Sequence, residues 1–135
     1  KFNFKYFKEK IKNKKRKIKD LLMDQKFVSG LGNIYVNEIL FKSRVNPVRK
    51  INRITDSEIK KILLFTKKVL QKAIKLGGSS IKDFSSSRGE TGQFQRYFNV
   101  YGRKGMKCSN ADCNSTIKKI VISNRASFYC PYCQK

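Results

Sequence analysis

CSNADCNSTIKKIVISNRASFYCPYC, residues 108–133, holds all four cysteines of this 135-residue chain, and the first 107 residues hold none. The spacing is C-x4-C, sixteen residues, then C-x2-C. Each close pair suits a tight knuckle that offers two thiolates to one side. Between the pairs, TIKKIVI and ASFYC alternate as two strands around a turn at SNR, so a hairpin brings the knuckles together. Cys108, Cys113, Cys130 and Cys133 are therefore candidate ligands of one structural Zn²⁺, which accepts four soft thiolates in a closed tetrahedral site. A closed site does no chemistry; it holds rigid a hairpin too small to stabilise itself. The competing reading, two disulfides in an exported protein, lacks an export signal and leaves the cysteine-free body unexplained.

Charge bounds what the body meets. There are 32 Lys and Arg against 9 Asp and Glu, a formal +23. So large a charge repels itself unless a polyanion offsets it, and nucleic acid is the leading candidate. Two other readings compete: Lys-rich codon usage, and an anionic membrane surface. The chain has no lipidation motif and no run near the roughly 18 apolar residues of a membrane helix. Apolar residues make up 39% of the chain, with ten Phe and six Tyr, enough for a core. There is no His, which excludes histidine acid–base schemes.

Outward from the hairpin, the body reads as helices. Phe4, Phe7 and Ile11 recur at helical spacing behind an Asn3 cap, predicting a helix over 4–12. KNKKRK, 12–17, is an exposed basic run, either a solvated face or a phosphate contact. IKDLLMDQ, 18–25, is a second short helix with Ile18, Leu21 and Leu22 on one side. In GLGN, Gly30 and Gly32 allow a sharp turn and Asn33 is placed to cap a helix running to Lys42, ended by VNP at Asn46 and Pro47. TDSE is a capping box, Thr55 with Glu58. It opens a long amphipathic helix through Ile59, Ile62, Leu63, Thr66, Val69, Leu70, Ala73 and Ile74, stopped by Gly77 and Gly78. SSSRGETGQ, 85–93, is a polar loop, and FQRYFNVYG an extended lead-in to the cysteines. Glu38 reads as a buried or capping partner of a basic group, and Tyr97, Phe98 and Tyr101 as packing between helices and hairpin.

KIKDLLMDQKFVSGLGNIYVNEILF, LGGSSIKDF, GETGQFQRYFNVYGRKG and NRASFYCPYCQK fall in order over nearly the whole chain. Together they resemble the C-terminal half of bacterial formamidopyrimidine-DNA glycosylase. The resemblance implies a mainly α fold: a helix-two-turns-helix DNA-binding domain over 1–92, then a linker and C-terminal zinc finger over 93–135. It implies that Asn33 contacts a DNA phosphate from a helix N-terminus and that Lys15 and Lys19 lie along the DNA backbone. It also implies that Arg125 grips the phosphates beside the lesion and assists elimination. Ser86, Ser87, Arg88, Gly89, Glu90, Thr91, Gly92 and Gln93 become the loop that closes over the extruded oxidised purine.

Two departures stand out. The first knuckle is C-x4-C where the family has C-x2-C. The family's nucleophile is an N-terminal proline amine followed by glutamate, whereas this chain begins KF and its prolines, Pro47 and Pro131, are internal. The expectation is a monomeric, cytoplasmic, nucleoid-associated bacterial protein. It would be the DNA-binding half of a base-excision repair glycosylase and AP lyase acting on 8-oxoguanine, formamidopyrimidines and abasic sites in duplex DNA. The half that bears the nucleophile is absent. The alternative is a stand-alone nucleic-acid-binding zinc-finger module. A ribosomal or transcription-associated zinc ribbon leaves the GLGNIYVNEILF helix unexplained.

Overall fold

A computed structural model of the chain describes residues 2–75 and 98–135. Among them are four α-helices, α1 (Phe4–Ile11), α2 (Ile18–Met23), α3 (Asn33–Ser43) and α4 (Asp56–Lys75). A 3-10 turn lies at Ile51–Arg53, and a two-stranded antiparallel hairpin is formed by β1 (Lys118–Ile122) and β2 (Arg125–Tyr129). The fold is thus mainly α with a small C-terminal cysteine-bearing hairpin. No helix among the described residues is long and apolar enough to cross a membrane.

The local signals explain the helix starts. The Asn3 side chain accepts from the Tyr6 N–H at 2.9 Å and caps α1. The capping box before α4 closes both ways: Thr55 N–H donates to Glu58 Oε1 at 2.9 Å, and Glu58 N–H to Thr55 Oγ1 at 3.1 Å. Arg49 donates to the same carboxylate at 2.6 Å and ties the α3–α4 connection to the cap. Those contacts hold Glu58 below its usual carboxylate range: burial opposes ionisation, but the Arg49 guanidinium and the Thr55 N–H outweigh it.

Two expectations need correction. Asn33 is the first residue of α3 rather than its cap; Gly32 occupies the cap position, with no side-chain bond. The helix ends at Ser43, one residue past the expected Lys42, but Arg44 rather than the VNP segment stops it: Arg44 turns into the left-handed region at φ 61° and its N–H closes on Leu40 and Phe41. The stop at Gly77 and Gly78, the loop 85–93 and the boundary at 92/93 lie outside the described residues.

The apolar side chains sort into two clusters. The larger joins Phe7 and Ile11 of α1, Ile18, Leu21 and Leu22 of α2, Val36, Ile39 and Leu40 of α3, and Ile59, Ile62 and Leu63 of α4. Phe27 stacks on Tyr6 and meets Phe7 edge-on at 5.2 Å, pinning the loop after α2. The smaller cluster holds the four cysteines with Phe41, Val100, Ile117 and Phe128. α3 belongs to both: it packs against α4 and α2 on one side and β2 on the other. It is therefore the wall between helical body and hairpin, which is why even its Asn37 and Glu38 are buried.

Candidate nucleic-acid interface

The hairpin turn is tighter than SNR suggests. Ser123 and Asn124 alone form it, both at positive φ (50° and 65°), the twist that matches a two-residue hairpin loop. Arg125 is the first residue of β2, opposite Ile122. The tip is tied to the body, since Ser123 Oγ donates to Asp20 Oδ1 at 2.7 Å.

α3 reads the edge of β2 through residues four apart, Asn33, Asn37 and Phe41, which share a helix face. Asn33 Nδ2 donates to the Ala126 carbonyl at 3.0 Å. Asn37 Oδ1 accepts from the Phe128 N–H at 2.6 Å, and Phe41 sits in the cysteine cluster. From α2, Lys19 Nζ reaches the same Ala126 carbonyl at 3.1 Å and Ser127 Oγ at 2.6 Å. Lys19 and Asn33, from two helices, thus meet on one carbonyl of β2, one residue after Arg125. Lys19 is only 1% exposed, so its ammonium faces the seam rather than open solvent. Lys15 stands apart, exposed in the connection between α1 and α2. The residues expected to close over a base, 86–93, are outside the described residues.

Burial, with the Arg125 charge adding to it and Asp20 opposing it, lowers Lys19 from 10.5 to about 8. The folded chain therefore binds fewer protons than the unfolded chain between about pH 8 and 10.5, and stability rises with pH across that window. Below pH 8 both states are charged and the cost of burying the ammonium is present in full. With the cysteine site metal-saturated, Lys19→Met should flatten this rise in denaturant melts. An equal rise in the variant would show that other groups cause it.

Glu38 has a role that sequence did not reveal. Its carboxylate takes the backbone N–H groups of Asn99, Val100 and Tyr101 at 2.7, 2.9 and 3.0 Å, plus the Asn99 amide at 3.2 Å. The expected basic partner is replaced by backbone amides, and 98–102 is irregular rather than extended-strand lead-in. Tyr101 packs edge-on against Phe128 at 5.0 Å and near Phe98 at 6.1 Å, the packing role expected of them; Tyr97 lies outside the described residues. Gln134, also unforeseen, accepts from the Cys130 N–H and donates to the Val45 carbonyl, both at 2.8–2.9 Å.

The four cysteines are buried and free, and their sulfurs all lie within 4.8 Å of one another, close enough to share one metal ion. The longer first knuckle closes through Cys113 N–H on the Asn110 carbonyl at 3.1 Å, so its two extra residues are absorbed in a turn. Burial pushes the Cys108 thiol up to about 12 and raises Cys113 as well. Burial also opposes ionisation of Cys130, but the N–H groups of Cys133 and Tyr132 win and bring it down to about 7. One sulfur is thus poised as a thiolate, and a cation is what would draw protons from its neighbours.

A family model described as the formamidopyrimidine-DNA glycosylase H2TH domain matches residues 1–85. The chain belongs to the formamidopyrimidine-DNA glycosylase H2TH family. Within that match α2 and α3 are joined by a connection in which Gly30 sits at φ +94°, a conformation that favours glycine. A formamidopyrimidine-DNA glycosylase of Roseobacter denitrificans is 46% identical over 127 residues, covering 94% of this chain and 45% of the relative. A solved structure of MutM in complex with DNA containing carbocyclic 8-oxo-G superposes with a TM-score of 0.82 at 41% identity, over 99% of this chain and 47% of that one. The Lactococcus lactis Fpg in complex with abasic-site DNA gives 0.83 at 41% identity, over 99% and 48%. The H2TH likeness thus extends through the cysteine hairpin, and the chain spans about half the length of the relatives it matches.

Proposed function

We propose that these 135 residues are the DNA-gripping half of a base-excision repair glycosylase and AP lyase for oxidised purines, working on duplex DNA in the bacterial cytoplasm. The observation that carries this reading is the meeting of Lys19 and Asn33 on the Ala126 carbonyl, one residue after the exposed Arg125. The α3 N-terminus and the exposed Arg125 guanidinium suit a phosphate group, while the buried Lys19 ammonium braces the strand that carries Arg125. Asn33 and Lys19 orient the strand that presents Arg125; Arg125 takes the phosphate next to the lesion. Lys15 adds a backbone contact farther along, and residues 86–93 cover the extruded base.

Zinc fits the cysteine cluster. A tetrahedral ion with Zn–S near 2.3 Å sets sulfurs about 3.8 Å apart. Cys108 and Cys133 lie 3.8 Å apart, and Cys113 and Cys130 3.6 Å. Asn110 Nδ2 and the N–H of Ser115 and Cys133 point at sulfurs, which favours thiolates. Zinc bound by Cys108, Cys113, Cys130 and Cys133 would supply structure alone, holding the hairpin whose Ala126 carbonyl meets Asn33.

Schiff-base chemistry at a sugar needs an uncharged amine. Lys19, the lysine with the lowered pKa among the described residues, donates to Ser127 and Ala126 and faces away from solvent. We assign the nucleophile to a part of the protein outside these residues. The test is titration with an abasic-analogue duplex and an undamaged one across salt. If about 4 to 6 phosphates are neutralised, log K should fall against log salt with slope roughly −4 to −5. Lys15→Ala should flatten that slope by about one for both duplexes, and Arg125→Ala should weaken the abasic-analogue duplex by about tenfold. Borohydride on a natural abasic duplex should leave no adduct with this chain alone. A flat salt dependence, or efficient trapping, would overturn the assignment.

A further inference from the structure

The outer face of α4 is unused by anything above. Its buried side, Ile59, Ile62, Leu63 and Thr66, packs toward α3. The opposite side exposes Lys60, Lys61, Lys67, Lys68 and Lys72 around Leu64, which is 48% exposed. At 100° per residue these positions form one stripe, and at 1.5 Å per residue it runs about 18 Å. Among the described residues none of the five lysines has a carboxylate partner; the ion pairs on α4, Lys8–Asp56 and Arg49–Glu58, lie before the stripe begins. Two heads are held over rings, Lys60 on Phe4 and Lys68 on Phe65, at 5.5 and 5.7 Å, which positions the charge without neutralising it. The stripe lies on the side of α4 opposite the residues that pack toward α3, and α4 is not among the elements packed on β2.

We propose that this ridge holds a second segment of duplex DNA, so that one chain bridges two segments. A broad band of five unneutralised cations along one face of a capped helix matches the closely spaced phosphates of a duplex, one charge per roughly 1.7 Å of axis. One exposed leucine is too little apolar surface for a protein or a bilayer to dock by burial. The proposal is independent of lesion recognition, and its test keeps the two apart. Metal-loaded protein is mixed with an immobilised undamaged duplex and a free labelled one, and retention of the label is read. Wild type should retain it. Lys67→Gln/Lys68→Gln/Lys72→Gln, with helix content checked by circular dichroism, should lose at least tenfold of the retention. Its affinity for a single abasic-analogue duplex should stay within about twofold. Asn33→Ala/Arg125→Ala should instead lose the abasic-analogue preference and still bind undamaged duplex. Undiminished bridging by the triple variant, as self-association would give, overturns the ridge. So does a wild type that captures no second duplex, or one whose ridge-dependent binding is to anionic vesicles or acidic peptides alone.

Discussion

Stripping the metal should dissolve the hairpin while leaving α4 standing. Purified chain should carry about one zinc, and a strong chelator or Cys130→Ser should remove it. Structural zinc contributes apparent binding energies of about 10–16 kcal/mol near neutral pH, comparable to the whole stability of a small domain. Within itself the hairpin has little else, two five-residue strands and a turn with two non-glycine residues at positive φ, and its bonds to α2 and α3 need its register already set. The helical body has its own core, with no cysteine in it. Amide spectra should therefore lose dispersion for 108–133 and keep it for the first three turns of α4. Because Lys19 and Asn33 both donate to Ala126, abasic-analogue affinity should fall with the hairpin. A zinc ratio near zero, in protein that keeps its hairpin, would sink this.

Glu38→Ala should be the most damaging substitution outside the cysteines. It strips four donors of their acceptor at a site where the carboxylate is only 6% exposed. Hydrogen bonds to charged groups contribute about 1.5–3 kcal/mol each, and the stranded N–H groups add a desolvation cost. With partial relaxation and water entry, a loss of roughly 3–5 kcal/mol is expected, a fall in Tm of about 10–20 °C. Glu38→Gln keeps one acceptor oxygen but turns an NH₂ toward backbone donors, and should cost about half as much. Since Tyr101 packs on Phe128, zinc should also leave the Ala variant faster. A destabilisation under about 1 kcal/mol would mean that 99–101 is held by other contacts.

Much of the fold could be read without coordinates because its signals are local. The Asn3 cap, the Thr55–Glu58 box and the apolar spacing of α1 and α4 each act within one or two turns of chain. The cysteine spacing is likewise short-range at each knuckle, and two knuckles around two alternating runs leave a hairpin as the only arrangement that joins them. The charge bounded the partner because Coulomb repulsion sums over the chain whatever its fold.

The remaining features are contacts between residues far apart in sequence, which no local pattern encodes. Asn33 was placed as a cap because asparagine before an apolar run ordinarily is one; its side chain is drawn instead to a carbonyl 93 positions away. Lys19 sits in a basic stretch that looks solvated, yet β2 folds over it, buries it and lowers its pKa to about 8. Glu38 is one acidic residue in a strongly basic chain, and a lysine or arginine was the obvious partner. Irregular backbone at 99–101 was the stronger claimant, since buried N–H groups with no ladder to join must find an acceptor. Local chemistry thus set the elements and the candidate ligands. Only the packing of β2 on α3 decided which side chains meet, because that depends on where two distant segments settle to satisfy each other's buried polar groups.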